Sequence, residues 1–144
     1  MTAARRGHRC LPHTADVIVE AWGPSLAACA EEAVAGLLGT CLDAGRSAAA
    51  PTVERRAVHL PAGPPDTALL ALLEEVVFVL DTSTAVPVGA AVRPAADGSL
   101  DVVLRLVAPA DVECTGAVPK AVSRSGLSVE RRAGGVRCTV LVDV

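Results

Sequence analysis

The stretch Pro12-His13-Thr14-Ala15-Asp16 runs directly into Val17-Ile18-Val19-Glu20-Ala21-Trp22-Gly23 and then Pro24-Ser25. A polar, ligand-rich loop thus opens onto an extended apolar run. β-Branched residues dominate 17–22 and no turn residue interrupts them, which predicts a strand. Val17, Val19 and Ala21 fall on one face, and Ile18, Glu20 and Trp22 on the other. Gly23-Pro24 stop the strand. Ser25 is suited to cap a following helix, because its hydroxyl can accept from the orphan amides of the first turn. Beyond it Cys29/Ala30, Ala33/Val34, Leu37/Leu38 and Cys41 recur at helical spacing, with Glu31 and Glu32 left outside.

The same alternation of strands and helices continues outward from this stretch. Residues 43–51 read as a small-residue loop and 53–60 as a weakly patterned strand suited to a sheet edge. Asp66 is placed to cap a helix over 67–80, where Leu69/Leu70, Leu72/Leu73, Val76/Val77 and Leu80 form the inward stripe and Glu74-Glu75 the wet side. Residues 85–93 and 100–107 read as a hairpin around Ala96-Asp97-Gly98-Ser99, since Asp-Gly supplies the positive φ such turns need. Residues 112–114 extend or add a strand. Residues 116–123 read as a short helix with Pro119 in its first turn, where a missing N–H costs little, and Gly126 ends it. Residues 127–132 and 136–142 form a last hairpin across Ala133-Gly134-Gly135. Helices set among hairpins predict an α+β fold: one mixed, largely antiparallel sheet carrying two main helices and one short helix.

Residues 1–144 are expected to form a single domain, with 1–9 a loose leader. The length, 144 residues, lies within the usual range of roughly 100–200 residues for one domain. Hydrophobic residues make up 51% but aromatics only 1%, so Val, Leu and Ala must build the core. Trp22 and Phe78 are the only aromatic residues of the Phe, Trp and Tyr types. Nucleic-acid binding through interleaved stacking platforms is therefore not expected, and Arg55-Arg56 and Arg131-Arg132 read as solvated strand residues. The net charge of −3 gives no global basic footprint. Five cysteines without a CxxC pair argue against a disulfide framework or a zinc site and for small core hydrophobes in a reducing cytoplasm. The apolar run 68–80 is broken by two glutamates and falls short of the ~20 residues of a membrane span. Met1-Thr2-Ala3-Ala4-Arg5-Arg6 leads into no apolar segment of a secretory signal.

By residue type alone, Asp16 is an ordinary turn or cap residue where a loop meets a strand, and His13 an ordinary loop histidine. The other end of the sequence changes that reading. Strand 136–142 is apolar enough to be central, and it delivers Asp143-Val144 to a fixed place. Asp16, Asp143 and the Val144 carboxylate would together offer hard anionic oxygens, suited to Ca²⁺ or Mg²⁺ rather than Zn²⁺. Such a cluster cannot stay ionised without a cation, because mutual repulsion raises carboxyl pKa values. Lys120, the single lysine, is either a solvated residue or a point charge for these carboxylates or for a phosphate. His8 and His59 read as structural or exposed.

His13-Thr14-Ala15-Asp16-Val17 followed by Glu20-Ala21-Trp22-Gly23 resembles the N-terminal signature of the archease proteins. Leu80-Asp81-Thr82 resembles the close of their second helix. Gly116 and Lys120-Ala121-Val122-Ser123, then Gly126-Leu127 and the final Val142-Asp143-Val144, resemble their C-terminal signature. The resemblance implies a cytoplasmic accessory factor of the GTP-dependent RNA-splicing ligase of the RtcB type, acting in tRNA splicing and RNA repair. Such a factor promotes guanylylation and repeated turnover of the ligase, contacts RNA and GTP only through it, and has no ligase activity of its own. It also implies that Asp16, Asp143 and Val144 bind a divalent metal, with Lys120 assisting. By the oxygen chemistry the metal is expected to be Ca²⁺ or Mg²⁺ with Mn²⁺ as a further candidate, and His13 is expected to assist beside Asp16. Where archeases usually read Lys-Ala-Val-Thr-Tyr-His, this chain has Lys120-Ala121-Val122-Ser123-Arg124-Ser125, so the aromatic and the histidine are missing. The rival readings are a ligase-independent metal-binding or chaperone-like module, and a small metal-dependent hydrolase with His13 as its base.

Overall fold

In the computed structural model, which describes residues 5–13 and 16–144, the chain forms one α+β domain of two antiparallel sheets and three helices. Strands β1 (Gly7–His13) and β2 (Asp16–Gly23) precede helices α1 (Leu26–Gly39) and α2 (Ala44–Ser47). Strand β3 (Thr52–Leu60), helix α3 (Pro65–Thr82) and strands β4 (Val86–Pro94) and β5 (Leu100–Val107) follow. Strands β6 (Ala121–Arg132) and β7 (Gly135–Asp143) end the chain. One sheet has the order β1-β2-β7-β6 and the other β3-β5-β4. Among the described residues no helix is long and apolar enough to cross a membrane.

The single mixed sheet expected from sequence is thus replaced by two sheets, and the reason lies in the helices. Helix α1 touches β1, β2 and β7 of the first sheet and β4 of the second, while α3 touches β6 of the first and β3 and β4 of the second. No residue from 26 to 38 is fully exposed, so α1 is covered all round, as an apolar helix between two layers must be. Ser25 caps it as expected, accepting from the Ala28 N–H at 3.1 Å. Helix α3 keeps one wet side, along Ala71, Glu74, Phe78 and Asp81. Its first turn begins at Pro65 after Pro64, so Asp66 sits inside the helix rather than capping it. The core is mostly Leu, Val and Ala with three cysteines among them, and Leu37, Leu72, Leu73, Leu104 and Leu106 are among its largest fully buried side chains.

Three further expectations are corrected. Residues 7–9 are not leader but the start of β1. Residues 116–123 form no helix: they run extended into β6, because the edge of β7 offers hydrogen bonds that Ser, Gly and β-branched Val use better than a helix would. The short helix lies instead at α2, inside the expected loop 43–51. Asp-Gly does turn the β4–β5 hairpin, with Gly98 at φ 89°.

Glu31 and Glu32 do not mark a solvent face. Glu31 Oε2 accepts from the Val92 N–H of β4 at 2.9 Å, and its Oε1 accepts from Arg6 Nη2 at 3.1 Å. Glu32 binds Arg6 Nε at 2.6 Å and His8 Nδ1 at 2.8 Å. These bonds tie β1 and its approach to α1. Burial pushes the Glu32 carboxyl up, but hydrogen bonds from His8 and Arg6 outweigh it and hold the group below its ordinary value. A lowered folded-state pKa contributes stability above the unfolded value and loses it as pH falls through the folded value. In urea unfolding from about pH 5 downward, the native protein should therefore lose more stability than Glu32→Gln. The variant should be the less stable of the two at neutral pH, and parallel losses would show that Glu32 carries no such linkage.

Candidate functional site

The alternation of β2 places Val17, Val19 and Ala21 toward the core, so Asp16, Glu20 and Trp22 face outward. In β7 the buried residues are Val136, Cys138, Val140 and Val142, which leaves Asp143 on the outer face. The β2–β7 register pairs Asp16 directly with Asp143. Two carboxylates of like charge, from opposite ends of the sequence, thus stand across neighbouring strands on one face. Directly opposed residues have Cβ atoms roughly 4.5–5.5 Å apart, and like charges in that position destabilise the sheet.

The main chain gathers two more of the expected residues here. Ala121 pairs with Asp143, and the Lys120 N–H donates to the Asp143 carbonyl at 2.8 Å. Lys120 and Val144 line a cleft of about 1000 Å³ between α3 and residues 117–122. Asp16 and Asp143 do not line it; they adjoin it through Lys120 and Val144. On the other strand beside β2, His13 pairs with Asp16 in the β1–β2 register. Thr14 and Ala15 of the signature, and the His13 side chain, lie outside what the structure describes.

The far wall of the cleft belongs to Glu74, Phe78 and Asp81 of α3, which residue patterning did not single out as functional. A signal was present: Phe78, the only phenylalanine, falls on the wet side of α3 at helical spacing from Ala71 and Glu74. Its 56% exposure and the 48% of Val118 across the cleft give the site an apolar rim around charged residues. Such a rim suits a protein partner.

Among the described residues no group of three or more His, Cys, Asp or Glu side chains is arranged to hold a metal ion. Two facing carboxylates match the hard-oxygen chemistry of Ca²⁺ or Mg²⁺, and further oxygens would have to come from main chain, water or a partner. His8 is bound to Glu32, and His59 pairs with Asp101 at 2.9 Å with both side chains exposed. Cys29, Cys41 and Cys138 are buried as expected, whereas Cys10 and Cys114 are exposed.

A family model for the archease proteins matches residues 8–144. The chain belongs to the archease family. A relative described as a probable archease, from Mycobacterium tuberculosis, is 41% identical over 138 residues, covering 96% of this chain and 75% of the relative. A Thermotoga maritima protein described as an archease and possible chaperone has a crystal structure that matches with a TM-score of 0.66 at 20% identity, over 98% of this chain and 100% of that one. The solution structure of a Methanobacterium thermoautotrophicum protein matches with a TM-score of 0.67 at 19% identity, over 96% and 99%. At those identities the two structures establish the archease fold alone.

The carboxylate pair makes a direct prediction. With divalent cations chelated, Asp143→Asn removes one of two opposed charges and should stabilise the domain by about 0.2–1 kcal/mol. Thermal unfolding in EDTA should then show a midpoint about 1–4 °C higher. An unchanged or lower midpoint would mean that the two carboxylates do not repel.

Proposed function

We propose that this archease activates an RNA-splicing ligase of the RtcB type, using a divalent cation held by Asp16 and Asp143. The observation that carries this reading is the register of β2 on β7, which opposes the two aspartates beside a cleft containing Lys120. The family supports an accessory role, and the exposed Phe78 and Val118 support a protein partner. Val144 would add a main-chain carboxylate oxygen to the ligands. The cation, Ca²⁺ or Mg²⁺ with Mn²⁺ as a further candidate, would supply positive charge and Lewis acidity to phosphate oxygens.

The residues divide the work. Asp16 and Asp143 are held by paired strands, so their spacing needs no reorganisation on docking. Lys120 brings a flexible point charge to the cleft, able to follow a phosphate group. Its main chain is tied to Asp143, so the flexible side chain stays anchored beside the carboxylates. Phe78 and Val118 give a partner apolar contact area around them. Arg124 and Ser125 sit on the exposed part of β6, where they alter the surface offered to the ligase while leaving the aspartate pair intact.

The deciding experiment is multiple-turnover ligation with the cognate ligase. Asp16→Ala and Asp143→Ala should each lose at least about tenfold in activation, the loss of one strong charge-assisted contact. Added Ca²⁺ or Mg²⁺ should raise the thermal midpoint of the native protein but not of either variant. Full activation by both variants would overturn the metal mechanism. The exposed apolar rim, and the description of the Thermotoga relative as a possible chaperone, favour a second reading as a ligase-independent chaperone-like module. Suppression of aggregation of an unrelated protein, lost in Phe78→Ser and unaffected by chelation, would establish that reading instead.

A further inference from the structure

Trp22 lies six residues along β2 from Asp16, about 20 Å away on the same outer face. It pairs with Gly7 on β1 and Arg137 on β7. A Cβ on Gly7 would fall 2.6 Å from the indole Cζ2, so the ring lies across the bare glycine. The Arg137 guanidinium stands over the ring, 5.5 Å from its centroid. Its Nη2 donates to Glu20 Oε2 at 2.7 Å. Arg9 also binds Glu20, and that hydrogen bond, followed by the charges of Arg9 and Arg137, holds the Glu20 carboxyl below its ordinary value. Glu20 therefore stays anionic at neutral pH and fixes Arg137 against the indole.

Arg5 and Arg132 complete a concavity of about 280 Å³ around Trp22 and Arg137. Among the described residues no carboxylate lines it, although the whole chain is negative. Arg5 has no ion-pair partner among the described residues. Arg132 pairs with Glu130 at 2.7 Å, with both side chains more than half exposed, and such pairs are worth about 0–1 kcal/mol, so a ligand can displace Glu130. The linear sequence offers no aromatic near Arg131-Arg132; β2 supplies one across the sheet.

Planar guanidinium forks match the oxygens of a carboxylate or a phosphate. Arg5 and, once Glu130 is displaced, Arg132 can share the several oxygens of a phosphate, while Arg137, held by Glu20, adds positive charge beside them. The volume lies just under the roughly 300–1,000 Å³ of sites for larger ligands, and so suits one phosphoryl group with part of its ester. We propose that the pocket formed by Trp22, Arg5, Arg132 and Arg137 binds a phosphate ester, as a small phosphomonoester or as one backbone phosphate of a single strand. This site is separate from the aspartate pair and does not depend on the proposed ligase activation.

Trp22 is the only tryptophan and there is no tyrosine, so its emission reports the pocket directly. The full chain, in EDTA, is titrated with ribose 5-phosphate and separately with a short oligoribonucleotide lacking terminal phosphates. A saturable change in emission with either ligand is expected, and which one saturates identifies the source of the phosphate. Arg5→Glu combined with Arg132→Glu should weaken it by at least about tenfold, and Glu130→Gln should tighten it. Both altered arginines are exposed, and circular dichroism checks that the fold is retained. No saturable change with either ligand, or equal binding by the charge-reversed variant, overturns the proposal.

Discussion

The antiparallel ladder between β2 and β7 is the constraint on which both the core and the site depend. It joins residues 16–23 to 136–143, from opposite ends of the sequence. Because side chains alternate along a strand, one register decides two things at once. It sends Val19 and Ala21 inward beside Cys138 and Val140, and it sends Asp16 outward opposite Asp143. A slip of one residue would bury the aspartate and expose the valines. The hydrophobic drive that fills the core therefore also specifies the carboxylate pair, with no separate device needed to bring the two acids together.

The core and the local signals were legible where the relevant pattern is local. The β2 alternation, the Ser25 cap, the Leu stripe of α3 and the Asp97-Gly98 turn all declare themselves within a few residues. The expectation that Asp16 meets Asp143 required only that both flanking strands be central, and the register bears that out. What could not be read depends on distant partners. Strand β1 has few apolar residues and contains Pro12, which suits an edge strand, and it is held by Arg6 and His8 on acids of α1. The entry to β6 carries Pro119 and Lys120-Ala121, a helix-like run, yet β7 recruits it as a strand. The division into two sheets was hidden because Glu31 and Glu32, which look like a solvent face, are bonded to flanking strands. Phe78 was hidden because a helix stripe reports what is buried and not what an exposed aromatic faces.

The aspartate pair and the arginine pocket occupy opposite ends of one sheet face, which changes sign along its length. Between them Glu20 binds both Arg9 and Arg137, so the one carboxylate in the middle of the face is taken up by arginines. The two ends are about 20 Å apart, well beyond the ~8 Å screening length at physiological ionic strength. The arginines therefore cannot relieve the repulsion between Asp16 and Asp143. Relief must come from a bound cation, from the Lys120 ammonium or from a partner that brings positive charge to the cleft. Each of those is an event at the cleft, and none requires the sheet to move. A ladder that opposes two aspartates is thus a place where bound positive charge would add stability, and this links the register of the fold to the recognition it makes available.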